Sequence, residues 1–170
     1  MNNETLKTAI VQAVMTAAER LFGQTGESFY YFALITSGEA HAPIVSAWSK
    51  EKLAMVPEAE RPIVKWSYAD APYFDFDSAS FEKVRLLFDQ RSNILSLNES
   101  LRSSEYEERL SAMEAALSEA DAAGTFGSGI EREQIVINVE VMPPDHSNTE
   151  RATRLNPPAA LTEWLIEAAE

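Results

Sequence analysis

The chain has 170 residues, no cysteine and a formal net charge of −13. That length is read as one domain, residues 1–170, with enough interior to form a core unaided, and the missing cysteines exclude a disulfide scaffold and a thiolate zinc site. The carboxylate excess repels phosphate backbones and anionic lipids and attracts basic proteins, so the expected partner is a protein and neither nucleic acid nor membrane.

Leu6, Ile10, Ala13, Val14, Ala17 and Leu21 recur at helical spacing and predict an opening helix. Asn2 or Asn3 is placed to cap it, and Gly23 and Gly26 to stop it. Residues 28–36 are the most apolar run. Phe29, Tyr31, Ala33 and Ile35 would share one face of a strand, and Tyr30, Phe32 and Leu34 the other. Two apolar faces require cover on both sides, which predicts a central strand. Residues 37–40 supply a turn and 43–48 a returning strand. Two helical turns over 49–56 end at Pro57, and residues 62–67 read as a short extended piece, its leading proline suiting a sheet edge.

Residues 68–77 are aromatic and acidic without a helical or strand period. A helix begins near Ser78 or Ser80 with Phe81, Val84, Leu87 and Phe88 inward, and Ile94, Leu95 and Leu97 read as buried anchors of the following loop. Ser104-Glu105-Tyr106-Glu107 matches a capping box for a helix carrying Tyr106, Leu110, Met113 and Leu117 inward and ending at Gly124. In 134–142, Ile135, Ile137, Val139 and Val141 alternate with Asn138 and Glu140, which predicts a strand with a wet or helix-edge second face. Ser147-Asn148-Thr149-Glu150 offers a second capping box for a helix through Leu155. Leu161, Trp164, Leu165 and Ala168 form a closing amphipathic helix entered through Pro157-Pro158. The order predicts an α+β domain: a small, mainly antiparallel sheet with a central hairpin, packed by several amphipathic helices.

No stretch carries a complete reaction signature. The glycines at 124, 127 and 129 follow a helix and precede a strand, the reverse of a phosphate loop, so capping and a turn explain them. His41 and His146 have no ligand spacing and read as surface residues, so no metal and no cofactor are expected. There is no Gly-x-Ser-x-Gly elbow. Asp70 and Asp75, among Trp66, Tyr68, Tyr73, Phe74 and Phe76, are the carboxylates whose setting suits acid–base work, which keeps a carboxylate-based hydrolase, with or without a metal, as the alternative. The same rings can also serve as a lid on the core. As an interaction surface, large rings give contact area and aspartates pair with arginine or lysine. The expected binding residues are Trp66, Tyr68, Asp70, Tyr73, Asp75 and Asp77.

Phe29-Tyr30-Tyr31-Phe32-Ala33-Leu34 with Thr36 and Gly38, and Lys65-Trp66-Ser67 with Ala69-Asp70 and Tyr73, form an ordered set of landmarks. Gly124, Phe126-Gly127, Arg132 and Leu155-Asn156-Pro157 continue it. In this order the chain resembles a bacterial family known as a domain of unknown function, family 4303. The turn Met142-Pro143-Pro144-Asp145 departs from the more acidic, serine-rich turn of that pattern. The resemblance implies a role like that of immunity proteins of bacterial toxin systems and supplies no catalytic residues. The expectation is therefore a cytoplasmic, non-enzymatic protein-binding module, immunity- or antitoxin-like, that neutralises a basic partner.

Overall fold

A computed structural model describes residues 3–169. Helix α1 (Asn3–Thr25) buries all six residues of its apolar stripe. Asn3 is already helical, and a cap at Asn2 lies outside the described residues. Strand β1 (Phe29–Ser37) turns back into β2 (Ile44–Ser49), and β3 (Val136–Met142) lies on the other side of β1. The strand with two apolar faces is thus the central one. The class is α+β, as expected, but the small sheet is mixed and not mainly antiparallel: β1 pairs antiparallel with β2 and parallel with β3. A parallel pair needs a long crossover, which the helical segment between β2 and β3 supplies.

Strict alternation along β1 fails at one point. The register with β2 shifts between Phe29 and Tyr31, and the irregularity puts Tyr30 on the same side as Tyr31, Ala33 and Ile35, while Phe29 joins Phe32 and Leu34. The first face, with Phe32, Leu34, Val45, Ile137, Val139 and Val141, packs under α1, α4 (Glu82–Asp89) and α5 (Glu99–Ala122). The second carries Tyr31, Ala33, Ile35 and Trp48 and is covered by residues near α2 (Lys50–Met55), α3 (Arg61–Val64) and the loop 65–71.

Several local readings change. Residues 61–64 form a helical turn instead of an extended edge, because Pro62 sits where its missing N–H is harmless, at a helix start. Helix α5 begins five residues before Ser104: Asn98 is its cap, accepting from the Leu101 N–H at 3.0 Å. Ile94 is buried but Leu95 is 64% exposed. The closing helix is two separate turns, α7 (Pro158–Leu161) and α8 (Trp164–Glu167). No described helix is long and apolar enough to cross a membrane.

In β3, Asn138 and Glu140 are buried at 0% and 8% exposure, so of the two settings expected for that face, wet or helix-edge, the wet one does not hold. As an outer strand, β3 has a row of unpaired backbone groups, a liability that folds must cover. Helix α6 (His146–Leu155), capped by Asp145, covers it with side chains. Asn148 accepts from the Val141 N–H at 2.8 Å and donates to the Val141 carbonyl at 3.2 Å. Arg151 donates to the Val139 carbonyl at 2.7 Å. Asn156 does for Ile137 what Asn148 does for Val141, at 2.8 and 2.6 Å. Positions 148 and 151, one helical turn apart, with Asn156 just past the helix end, act as a substitute strand. Their polarity is buried because the sheet edge uses it.

Candidate functional site

The loop after α3 is held on the second sheet face by three side chains that donate to its main-chain carbonyls. Tyr30 reaches Lys65 at 2.6 Å, Trp48 reaches Ser67 at 2.8 Å and Ser46 reaches Tyr68 at 2.8 Å. The backbone of 65–68 is therefore fixed without secondary structure of its own. Trp66 stands edge-on to Tyr30 and Tyr31, with centroids 5.1 and 6.2 Å away, and donates its indole N–H to Glu167 at 2.8 Å. Lys65 lies 5.2 Å from the Trp66 ring centroid and bridges to Glu163 and Glu167, tying α8 to the loop. Burial lowers the Lys65 pKa, but these two carboxylates raise it further, so the net shift is upward. The Glu167 carboxyl is held below its ordinary range by Lys65 and then Trp66.

Loop, sheet and α8 line a half-open cavity of about 610 Å³. Trp66, Tyr68 and Trp164 give it rings, Met142, Pro143 and Pro144 close one end, and Glu140 lines it with 8% exposure. Asn138 reaches Glu140 at 3.5 Å from the same strand. Behind the wall, Tyr31 is fully buried; burial first, then the charge of Glu140, holds its phenol well above the ordinary tyrosine range. Tyr31 stays a neutral phenol at physiological pH, and the Glu140 carboxyl group reaches the cavity amid its rings. Clefts with apolar walls and few convergent polar groups are where ligands bind.

The six expected binding residues divide. Trp66 and Tyr68 line the cavity. Asp70 is exposed and accepts from Ser67, which also lines it. Asp75 is exposed, with a left-handed backbone at φ 50°. Tyr73 turns to the start of the sheet, where its hydroxyl donates to Glu27 at 2.6 Å and its ring packs on Phe29. Burial and then the Glu27 carboxylate push the Tyr73 phenol up to about 12. Asp77 pairs with Arg20 of α1 at 2.6 Å and its side chain is 9% exposed. Thus Tyr73 and Asp77 are engaged by the molecule's own groups, and only Trp66, Tyr68 and Asp70 gather near the cavity. The aspartates of the hydrolase reading do not line it. Among the described residues no three or more His, Asp or Glu side chains converge as metal ligands.

Glu140, Asn148, Met142 and Trp164 complete the wall and were not among the expected residues. A signal for Glu140 existed. A central strand with two apolar faces needs a covered second face, so polar positions on its neighbour had to lie under that cover.

Against known families, residues 10–157 match the family described as Domain of unknown function (DUF4303). The chain belongs to this family. Comparison with curated proteins and with solved structures gives no match. Several residues within the matched range have structural roles in this chain. Lys65-Trp66-Ser67 is the pinned loop, and Phe126 packs against Phe22 and Phe32. Gly127, at φ 90°, lies where an added Cβ would meet that of Glu131 at 3.1 Å. Arg132 donates to Asp121 and to the Ile135 and Leu155 carbonyls and reaches the Asn156 side-chain oxygen.

Proposed function

We propose that this DUF4303 protein is a non-enzymatic binding module that docks a basic protein partner and neutralises it, in the manner of an immunity protein or antitoxin. The observation that carries the reading is the aromatic cavity beside an exposed acidic loop on a chain of net charge −13. Rings held in place by the fold offer contact area at little entropic cost, and the surrounding field speeds the approach of a cation-rich surface. Trp66, Tyr68 and Asp70 form the centre of the contact face, with Asp75 exposed further along the same loop.

The test is capture of a partner from the native host with the full chain as bait, followed by association kinetics of the purified pair across a salt series. The reading expects a basic protein whose association rate falls steeply with salt and whose toxicity on expression is relieved by this chain. A neutral or acidic partner, or a rate indifferent to salt, refutes it.

A further inference from the structure

The inward stripe of α5 runs on past the core. Leu110, Met113 and Leu117 are buried, but the same face one and two turns earlier carries Tyr106, Ser103, Arg102 and Glu99, the last three exposed. An open groove of about 390 Å³ lies between this stretch, Ile94, Leu95 and the hairpin turn at Gly38 and Glu39. Leu95, expected as a buried anchor, stands in it 64% exposed. The charged groups on its rim are Glu39, Glu99 and Arg102. Glu39 lies 3.9 Å from His41, and Arg102 turns away to donate to the Leu97 carbonyl at 3.1 Å.

Tyr106 is also a wall of a second depression, of about 530 Å³, between α5 and α6. Four carboxylates line it, from Glu107, Glu114, Asp145 and Glu150, with the guanidinium groups of Arg151 and Arg154. Arg154 pairs with Glu114 at 2.6 Å, and the buried Arg151 is turned to the Val139 carbonyl and the Asn148 oxygen. Glu107, Asp145 and Glu150 are exposed, and hydrogen bonds from Ser147 hold the Asp145 carboxyl below its ordinary range. Solvent therefore meets an acidic depression next to an apolar groove, with one tyrosine between them. The Gly38 N–H donates to the Met142 carbonyl at 2.9 Å, and Met142 lines the aromatic cavity, so groove and cavity border the same end of the sheet.

We infer that this paired surface docks a basic amphipathic helix of the partner. A leucine-sized side chain enters the groove beside Leu95, and a lysine or arginine one turn along lies in the depression beyond Tyr106. The inference rests on the proposal that the partner is a basic protein. Side chains one helical turn apart stand about 5–6 Å from each other at Cβ, so a single turn spans the tyrosine that divides the two subsites. Helices that bind in grooves use apolar anchors at this spacing. Charge complementarity selects the occupant: the acidic depression rejects an anionic helix, and the groove gives nothing to a wholly polar one. A second copy of this chain is a poor occupant, because two molecules of net charge −13 repel each other.

The probe is a capped amphipathic peptide of about 15 residues, long enough to be helical, with a leucine stripe flanked by lysines. Two controls replace its leucines by serine or its lysines by glutamate. Titrated into the full chain, the leucine–lysine peptide is expected to shift the backbone amide resonances of Ser103 and Tyr106, and the controls are not. Leu95→Asp is the sharpest variant, since residue 95 is exposed and the change leaves the fold alone. Attraction by charge alone predicts tighter binding to that variant. Docking in the groove predicts binding weakened about tenfold. Glu107→Gln with Glu150→Gln should weaken it about threefold or more at low salt. No response, equal responses to all three peptides, or a Leu95→Asp variant that binds as well as the parent overturns the inference. So does a dimer of the free chain that Leu95→Asp dissociates in light scattering, which would give the groove to a second copy. If these variants leave the affinity of a captured basic partner unchanged, the groove assignment falls while the docking reading stands. A salt-indifferent or acidic partner removes the docking reading and this inference with it.

Discussion

Asn156 is buried at 9% exposure just past the end of α6 and uses its whole amide. Its oxygen accepts from the Ile137 N–H at 2.8 Å and from Arg132 at 3.1 Å, and its nitrogen donates to the Ile137 and Ala152 carbonyls at 2.6 and 2.8 Å. Asn156→Ala removes all four bonds. Arg132 keeps Asp121 and two carbonyls, so the cost falls on the backbone. A stranded buried N–H costs about 1–3 kcal/mol and each carbonyl about 1 kcal/mol, giving about 3–5 kcal/mol in total. For a domain whose net stability is about 5–15 kcal/mol, that is a large share. With a slope of about 2 kcal/mol per molar urea, the unfolding midpoint should drop by about 2 M. Asn156→Asp makes the argument sharper. Pair electrostatics with Arg132 alone would predict a gain. Loss of both donors, with a carboxylate oxygen now facing two carbonyls, predicts a destabilisation comparable to that of alanine. Equilibrium urea unfolding followed by circular dichroism measures both. A midpoint shift below about 0.5 M with unchanged slope for Asn156→Ala, or a stabilised Asn156→Asp, would refute the reasoning that the side chain substitutes for a missing strand.

Arg109→Met should cost about 3–5 kcal/mol in the same assay, because Arg109 is 4% exposed and joins Glu105, the Ser92 carbonyl and the Ala40 carbonyl, leaving Glu105 with one partner fewer in a poorly solvated place. Burial raises the Glu105 and Glu27 carboxyls, but hydrogen bonds from Arg91 and Arg109, and from Ser49 and Tyr73, more than offset it, so both sit below the ordinary 4.5. Their contribution is present above that value and lost as pH falls through the lower folded values, so thermal stability should decline on acidification below about pH 5; a flat profile there would contradict it. Tyr73 shifts the other way, from 10.0 to about 12, so its contribution holds below pH 10 and disappears as pH rises towards 12, and alkaline titration at the phenolate absorption band should show a late-ionising class. In association kinetics with a basic partner, Asp70→Asn with Asp75→Asn should slow binding strongly at low salt and little at high salt while leaving stability within about 0.5 kcal/mol. Asp77→Asn should instead lower the urea midpoint, since Arg20 and Ser80 both donate to that carboxylate.

The amino-acid order alone determined the α+β class, the stripe of α1, the hairpin, the central place of β1 and the span of β3. These follow from burial and period, which are local: Leu6 to Leu21 can share one side only as a helix, and residues 29–35 need cover on two sides wherever they lie. The local signals failed where a polar residue answered to something distant. Asn138 and Glu140 read as an outward face, wet or at a helix edge, and Asn148 as part of a capping box; these three are buried, together with Arg151 and Asn156. Nothing near them in the chain states that β3 will be an outer strand whose unpaired amides need side-chain partners. The aromatic loop shows the same division. Its rings were legible as a cluster, but tertiary contacts sent Tyr73 to Glu27 and Asp77 to Arg20, and left Trp66 and Tyr68 facing Glu140 from a strand some seventy residues on. A polar group buried on its own would cost several kcal/mol, so where it goes depends on which partner the fold brings within reach, and that is a property of the assembled chain.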